Sequence, residues 1–286
     1  MEHPSHQLRR TGGEARKRFG QHFLAAGAIV EKIVDAAGVV PGQRVLEIGP
    51  GLGALTTALL ARGAEVVAVE IDRDLAAQLR TRFADEPRLR IVEGDAARIE
   101  DWSTLLEGGG WATVANLPYN VGTGIALSML NSPATFDRVV VMVQREVADR
   151  FIAKAGGGDR GSVSVYVEAR ATAKIVVKVP PGAFHPPPKV DSAVVRFDLF
   201  ATPRTGAVSP RQLESVVRAA FVGPRKALRN TLSGLADKPV LDAALAAAGV
   251  EGLARPSELT LDQWVRLASA LRGVDGPPPN GLPDAT

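Results

Sequence analysis

The stretch Arg44-Val45-Leu46-Glu47-Ile48-Gly49-Pro50-Gly51-Leu52-Gly53 decides the fold. Its first five residues form a short, mostly apolar run of the kind found in strands buried on both faces. The glycine-proline run that follows is a tight turn. Ala54 to Arg62 then continues as a helix closed by Gly63. Glu65 to Val69 is a second strand, ending at Glu70-Ile71-Asp72. Strand, turn, helix and strand make one βαβ unit. Such a unit opens a parallel sheet with a ligand crevice at the carboxyl ends of its strands. The expected class is therefore α/β.

Upstream, residues 28–38 have helical periodicity through Ile29, Ile33, Val34 and Ala37, closed by Gly38 and Pro41. Downstream the alternation continues. Asp74 to Phe83 reads as a helix, and Leu89 to Val92 as a strand ending at Gly94-Asp95-Ala96. Ala112 to Ala115 is a strand that runs straight into Asn116-Leu117-Pro118-Tyr119-Asn120. Ile125 to Leu130 is helical, Arg138 to Val143 a strand, and a helix starts at Glu146. Ser162 to Ala171 is ambiguous, because it is rich in valine yet sits where a helix is due. Lys174 to Val179 and Ser192 to Leu199, joined by a proline-rich loop, read as an antiparallel hairpin on the sheet edge.

Beyond the linker Thr202 to Val208 the pattern is purely helical. Ser209-Pro210-Arg211-Gln212 is a capping-box start with proline at the first helical position. Thr260-Leu261-Asp262-Gln263 is another, with Leu259 and Trp264 placed to staple it. The expected organisation is a basic N-terminal segment (1–24), an α/β domain (25–201), a small helical domain (207–272) and a disordered proline-rich tail (273–286).

Composition narrows the chemistry. The 286 residues contain no cysteine, which excludes disulfides, thiolate metal sites and cysteine nucleophiles. The four histidines are scattered without metal-ligand spacing, so no metal is expected. No run of 18 apolar residues exists, and the polar N-terminus does not read as a secretory signal, so a cytoplasmic protein is expected. Net charge is only +3 but uneven. Residues 1–24 hold five basic and two acidic side chains, and Arg211, Arg218, Arg225, Lys226 and Arg229 face the single acid Glu214. Two basic patches on a near-neutral body point to phosphate contacts, although for a charge run alone a solvated helix face is the favoured reading.

The glycine turn brings backbone close to a ligand and aims helix N–H groups at the crevice. Gly49-x-Gly51-x-x-Ala54 also satisfies the dinucleotide fingerprint, so the motif alone does not separate NAD from S-adenosylmethionine. Glu70 ends the second strand, where a carboxylate accepts from both hydroxyls of a ribose or caps the following helix. Asp95 ends the third, where it accepts from an adenine amine or caps the next turn. Two acids at successive strand ends around one glycine turn favour adenosine.

Asn116-Leu117-Pro118-Tyr119 ends the fourth strand and faces the same crevice. Its residue types suit an aromatic amine whose lone pair is delocalised into its ring. The Asn116 side-chain oxygen and the Leu117 carbonyl supply two acceptors that hold the amine in its tetrahedral form. Pro118 stiffens the turn, and Tyr119 offers a flat face to a flipped base. No general base is required, because the amine attacks while protonated and loses its proton afterwards. A hydride-transfer enzyme leaves this tetrapeptide unexplained.

Taken together, several motifs resemble the ribosomal RNA adenine dimethyltransferases, the family of KsgA/RsmA and Erm. They are Lys17 to Leu24, Glu47 to Gly53, Glu70, Asp95, Asn116 to Asn120, Val143 to Ala148, Phe184 to Ser192, and Arg225-Lys226-Ala227-Leu228-Arg229-Asn230. The resemblance covers nearly the whole chain. It implies a class I (Rossmann-like) methyltransferase sheet with a small C-terminal all-helical domain, and S-adenosyl-L-methionine as methyl donor. It places His22 and Leu24 on the donor from the N-terminal segment, Gly49 and Gly51 along it, Glu70 on its ribose, Asp95 on its adenine and Asn116 beside the reactive methyl. Phe184 would stack on the target base opposite Tyr119, and Arg225, Lys226 and Arg229 would help grip RNA. The implied substrate is two adjacent adenines near the 3′ end of 16S rRNA, each dimethylated, in the small subunit or its precursor. The expected enzyme is a monomer with no membrane partner. The competing readings are an Erm-type 23S rRNA methyltransferase, a DNA adenine methyltransferase, a non-catalytic ribosome-assembly factor and an NAD dehydrogenase.

Overall fold

A computed structural model describes residues 21–271. The expected basic arm with Lys17 and Arg18, and the expected tail 273–286, lie outside the described residues. The described chain forms two compact units, 21–148 with 173–201 and 149–172 with 202–271.

Unit 1 is built on β1 (Phe23–Leu24), α1 (Gly27–Ala37), β2 (Arg44–Ile48), α2 (Ala54–Ala61), β3 (Glu65–Glu70), α3 (Arg73–Arg82), β4 (Leu89–Glu93), β5 (Trp111–Asn116), α4 (Gly122–Leu130) and β6 (Phe136–Gln144). The helix α5 (Arg145–Ile152) and the strand β7 (Ala171–Val179) cross the boundary between units, and β8 (Phe184–His185) and β9 (Ser192–Leu199) follow. Seven strands form one sheet in the order β4-β3-β2-β5-β6-β9-β7. Strands β4 to β6 run parallel, and β9 is antiparallel to β6. Chain order reverses between β2 and β5, which places the crevice at their carboxyl ends, where the glycine turn and Asn116 sit.

The central strands β2, β3, β5, β6 and β9 are buried on both faces, which is why they read as near-continuous apolar runs, whereas the edge strands β4 and β7 are partly exposed. Val45, Val66, Ala112 and Val140 pack with Val30, Ile33 and Val34 of α1 and Leu55 and Leu59 of α2. Their neighbours Leu46, Val67, Val139 and Val141 are buried on the other face. The proline-rich loop does not simply close a hairpin. It contributes β8, which pairs antiparallel with β1 and ties the N-terminal segment to the sheet unit.

Unit 2 contains α6 (Ser162–Arg170), α7 (Pro210–Phe221), α8 (Leu228–Thr231), α9 (Lys238–Ala247) and α10 (Leu261–Ala270). The valine-rich segment is helical from Ser162 to Arg170 and turns to strand at Ala171. Residues 149–172 belong with the helices rather than with the sheet domain 25–201 expected from sequence. Side-chain anchors explain the difference. The buried Arg160 guanidinium donates to the Ala153 and Leu259 carbonyls and lies 2.9 Å from the Glu168 carboxylate. The Tyr166 hydroxyl donates to the Glu214 carbonyl, and the Gly156 N–H to Ser257. Both helices start where expected, but only the second start is a full capping box, because the Gln212 side chain donates to the Leu271 carbonyl instead. Ser209 accepts from the Gln212 N–H, and Thr260 and Gln263 bond reciprocally.

One buried acid braces the turn that carries the site. Glu47 is fully buried on β2 and accepts from the Thr56 hydroxyl on α2 at 2.7 Å, spanning the glycine turn. Burial raises its pKa from 4.5 to about 8, against the smaller lowering effect of the Thr56 hydrogen bond. The folded chain therefore holds a neutral Glu47 at pH 7 that the unfolded chain would ionise. This contribution is intact below pH 4.5 and is lost as pH rises towards 8. The Glu47→Gln variant should lack this dependence and at pH 8.5 gain roughly 3–5 kcal/mol relative to its offset at pH 4.5. Melting curves of both proteins across that range test this, and parallel curves would refute it.

Candidate active site

The glycine turn is held open from below and clamped from the side. Gly49 and Gly51 have φ of 67° and 57°, in the left-handed region that side chains resist. A Cβ on Gly51 would also lie 3.1 Å from the Phe23 ring. The Gly49 N–H donates to the Val69 carbonyl. Glu70, only 4% exposed at the end of β3, accepts from the Gly51 N–H at 3.0 Å and the Asp72 N–H at 2.9 Å, one on each carboxylate oxygen. Burial raises its pKa, and those two backbone bonds pull the other way.

Across the crevice, β5 ends at Asn116. Its Nδ2 donates to the His22 carbonyl at 2.9 Å. A carbonyl only accepts, so this bond fixes the amide and leaves Oδ1 as the acceptor on the remaining side. The Leu117 N–H donates to Met142 of β6, and the Pro118 carbonyl accepts from Val121 and Gly122 as α4 begins. Tyr119 is half-buried, and its hydroxyl shares a 2.7 Å bond with Ser192. Burial raises the phenol pKa and the Ser192 bond opposes that, so Tyr119 remains a neutral ring. His22 stacks on Tyr119 with ring centroids 5.7 Å apart, and its Nδ1 lies 2.8 Å from the Pro186 carbonyl.

The crevice thus gathers His22, Gly49, Gly51, Glu70, Asn116, Leu117, Pro118 and Tyr119. It does not gather all the residues expected from sequence. Leu24 and Phe184 face one another in the β1–β8 pair and are buried in the core cluster. Phe184 is therefore placed to anchor the N-terminal segment, while His22 covers one face of Tyr119. Asp95 caps the short turn Ala96–Arg98 by accepting from the Ala97 N–H, with Arg98 at 3.5 Å. In unit 2, Arg225 and Lys226 are exposed, whereas Arg229 pairs with Asp242 at 2.8 Å.

Residues 12–272 match the family model described as ribosomal RNA adenine dimethylase. The chain belongs to that family. This dimethylase is 45% identical over 264 residues to the ribosomal RNA small subunit methyltransferase A of Thermosynechococcus vestitus, covering 90% of this chain and 97% of the relative. It is 43% identical to the protein of the same name from Pseudomonas aeruginosa, over 92% of this chain and 96% of that one. Among solved structures it resembles the 23S rRNA methyltransferase ErmE, with TM-score 0.67 and 30% identity over 87% of this chain and 99% of ErmE. A dimethyladenosine transferase from Plasmodium falciparum shares the fold, with TM-score 0.74 at 24% identity over 86% and 96% of the two chains.

The dimethylase is an S-adenosylmethionine-dependent methyltransferase, and its crevice suits that donor. The Glu70 carboxylate faces the crevice while backbone N–H groups of Gly51, Ile71 and Asp72 hold it, and its remaining acceptor capacity suits a ribose hydroxyl. Gly49 and Gly51 present only backbone to the crevice, with the Phe23 ring against Gly51. Gln21, Phe23, Ile71 and Leu75 also line the crevice and were not expected from sequence. Ile71 carried a legible signal. It is an apolar residue, 43% exposed, between two strand-end acids, where an adenine ring needs an apolar face. Phe23 had no comparable signal, because its placement depends on pairing with His185.

Gly51→Ala should weaken donor binding at least tenfold, since the new methyl costs about 1–2 kcal/mol of left-handed strain and displaces Phe23. RNA affinity should stay within twofold. Calorimetric titration with S-adenosylmethionine and a separate RNA binding curve measure the two, and unchanged donor affinity would show that the turn's backbone is not part of the donor site.

Proposed function

We propose that this dimethylase transfers methyl groups to the N6 amines of two adjacent adenines near the 3′ end of 16S rRNA, dimethylating each, and takes part in small-subunit maturation. The observation that carries the reading is the fixed Asn116 amide, whose Oδ1 is left to accept from an amine in a crevice shared with Glu70 and Tyr119. The named small-subunit relatives at 43–46% identity support the choice of subunit. ErmE, at 30% identity, favours the alternative of 23S rRNA, and its lower identity ranks that reading second.

When bound, S-adenosylmethionine supplies the electrophilic methyl. The chain's own residues supply position. In the first transfer Asn116 Oδ1 and the Leu117 carbonyl accept the two N–H bonds of the target amine and turn its lone pair out of conjugation. In the second the monomethylated amine offers one N–H to one of them, and each methyl gained is balanced by a proton released to solvent after attack. The Pro118 carbonyl is already engaged by α4, which leaves Leu117 as the acceptor within the turn. Tyr119 offers a ring face to the flipped base, either opposite His22 or in exchange for it. Positive charge developing on the amine is met by fixed acceptors, so rate comes from orientation and electrostatics. Gly49, Gly51, His22 and Glu70 hold the donor, and Asp95 accepts from its adenine amine with the lone pairs its cap leaves over. Arg225, Lys226 and Arg229 contact RNA phosphates, with Arg229 exchanging Asp242 for phosphate. Domain roles follow the same division, with donor and base in unit 1 and RNA contacts in unit 2. We place the enzyme in the cytoplasm as a monomer. Among the described residues no helix is long and apolar enough to cross a membrane.

Two measurements test the proposal. Labelled methyl donor is incubated with small subunits, or with large-subunit RNA, from a strain lacking the activity. Label should map to adjacent adenines of 16S rRNA, and label on 23S rRNA or none at all would overturn it. Asn116→Ala should lower turnover at least about 100-fold while donor binding stays within about 1–2 kcal/mol of wild type, because the lost contact acts mainly in the transition state. Loss of donor binding of the same size would assign Asn116 to the donor instead.

A further inference from the structure

Tyr119 and Ser192 come from segments 73 residues apart, yet their hydroxyl oxygens lie 2.7 Å from each other. Ser192 opens β9, sits opposite Gln144 of β6 and is 1% exposed. A hydroxyl buried so deeply needs a partner, and among the described residues the hydroxyl of Tyr119 supplies one. The base of the bond is rigid, because β9 is antiparallel to β6 along its length. The turn that carries Tyr119 is anchored at its start by Leu117 and at its end by α4, but a tyrosine ring still rotates about two bonds. The Ser192 bond fixes the far end of the ring. With the phenol engaged and its pKa raised by burial, the hydroxyl is also unavailable as a proton acceptor.

We propose that Ser192 is a positioning residue for methyl transfer: through its hydroxyl it pins the far end of the Tyr119 ring and so holds the ring axis where the target base stacks. Ser192 acts through Tyr119 and not on the base. A ring whose far end is free to swing would still bind the base but would spread its angle relative to the donor methyl. The cost therefore falls on the chemical step, not on donor binding. This inference rests on the proposed base methylation, so its test includes a readout that does not depend on activity.

The chain has only two tyrosines, Tyr119 and Tyr166. Carbon-13 tyrosine labelling therefore gives one signal set for the site and one internal control. In Ser192→Ala the Tyr119 signals should shift and broaden while those of Tyr166 stay fixed. Unchanged Tyr119 signals would overturn the proposal whatever the RNA substrate proves to be. Single-turnover methylation of small subunits then supplies a double-mutant cycle. Ser192→Ala and Tyr119→Phe should each slow transfer about tenfold, equivalent to about 1.4 kcal/mol. The double variant should be no slower than either single variant within twofold, and Ser192→Thr, which keeps the hydroxyl, should recover most of the rate. Affinity for S-adenosylmethionine should not change in any of them. A multiplied loss of about 100-fold in the double variant, or an unchanged rate in Ser192→Ala despite altered Tyr119 signals, would show that Ser192 does not act on the reaction through Tyr119.

Discussion

The carboxylate of Glu70 is the constraint on which the site depends. It stands at the end of β3 and accepts at once from the Gly51 N–H of the glycine turn and from the Asp72 N–H that begins the next connection. Two loops are thereby fixed to one strand end. Asp72 in turn caps α3 through the Asp74 N–H and accepts from Gln21 of the N-terminal segment. The carboxylate sits where burial disfavours its charge, and the two backbone bonds offset part of that cost. A ribose diol placed there meets acceptors whose geometry the protein has already set.

The opposite wall is braced in the same manner by different chemistry. Asn116, His22, Tyr119, Ser192 and Pro186 form a chain of contacts in which each polar group fixes the next. The N-terminal segment is brought to this wall by the pairing of β1 with β8, and that pair is held by burial of Leu24 and Phe184 in the sheet's core. Apolar packing some distance from the chemistry thus decides where His22 stands. The role given to Phe184 by family resemblance, a partner for the base, differs from this placement, in which the ring is 4% exposed among aliphatic side chains.

The βαβ unit and the strand-end positions of Glu70 and Asn116 were legible because they follow from periodicity and glycine placement, both local properties. So were the helix starts at Ser209 and Thr260, which depend on side chains three residues apart. Residues whose roles depend on long-range partners were not legible. Arg160 joins the helical unit through Leu259, 99 residues away, so the segment around it gave no sign of leaving the sheet domain. Its valine content suggested a strand, but tertiary burial of Val163, Val165 and Val167 overrode that propensity. Asp95 shows the limit from the other side. The pattern allowed a ligand contact or a cap, and the cap uses only one lone pair of one oxygen, so the two roles are compatible.

What unites the two walls is that their polar groups are used to hold position. The Glu47 carboxyl, neutral at pH 7, braces the turn from beneath, the Asn116 amide is pinned at its nitrogen, and the Tyr119 hydroxyl is paired with Ser192. Among the described residues lining the crevice, the carboxylate of Glu70 is tied to backbone and the imidazole of His22 sits against the Pro186 carbonyl. An amine that attacks while still protonated asks no proton transfer of these groups before the methyl moves. For such a reaction, orienting the nucleophile's lone pair is the protein's main task, and a braced loop performs it better than a titrating side chain.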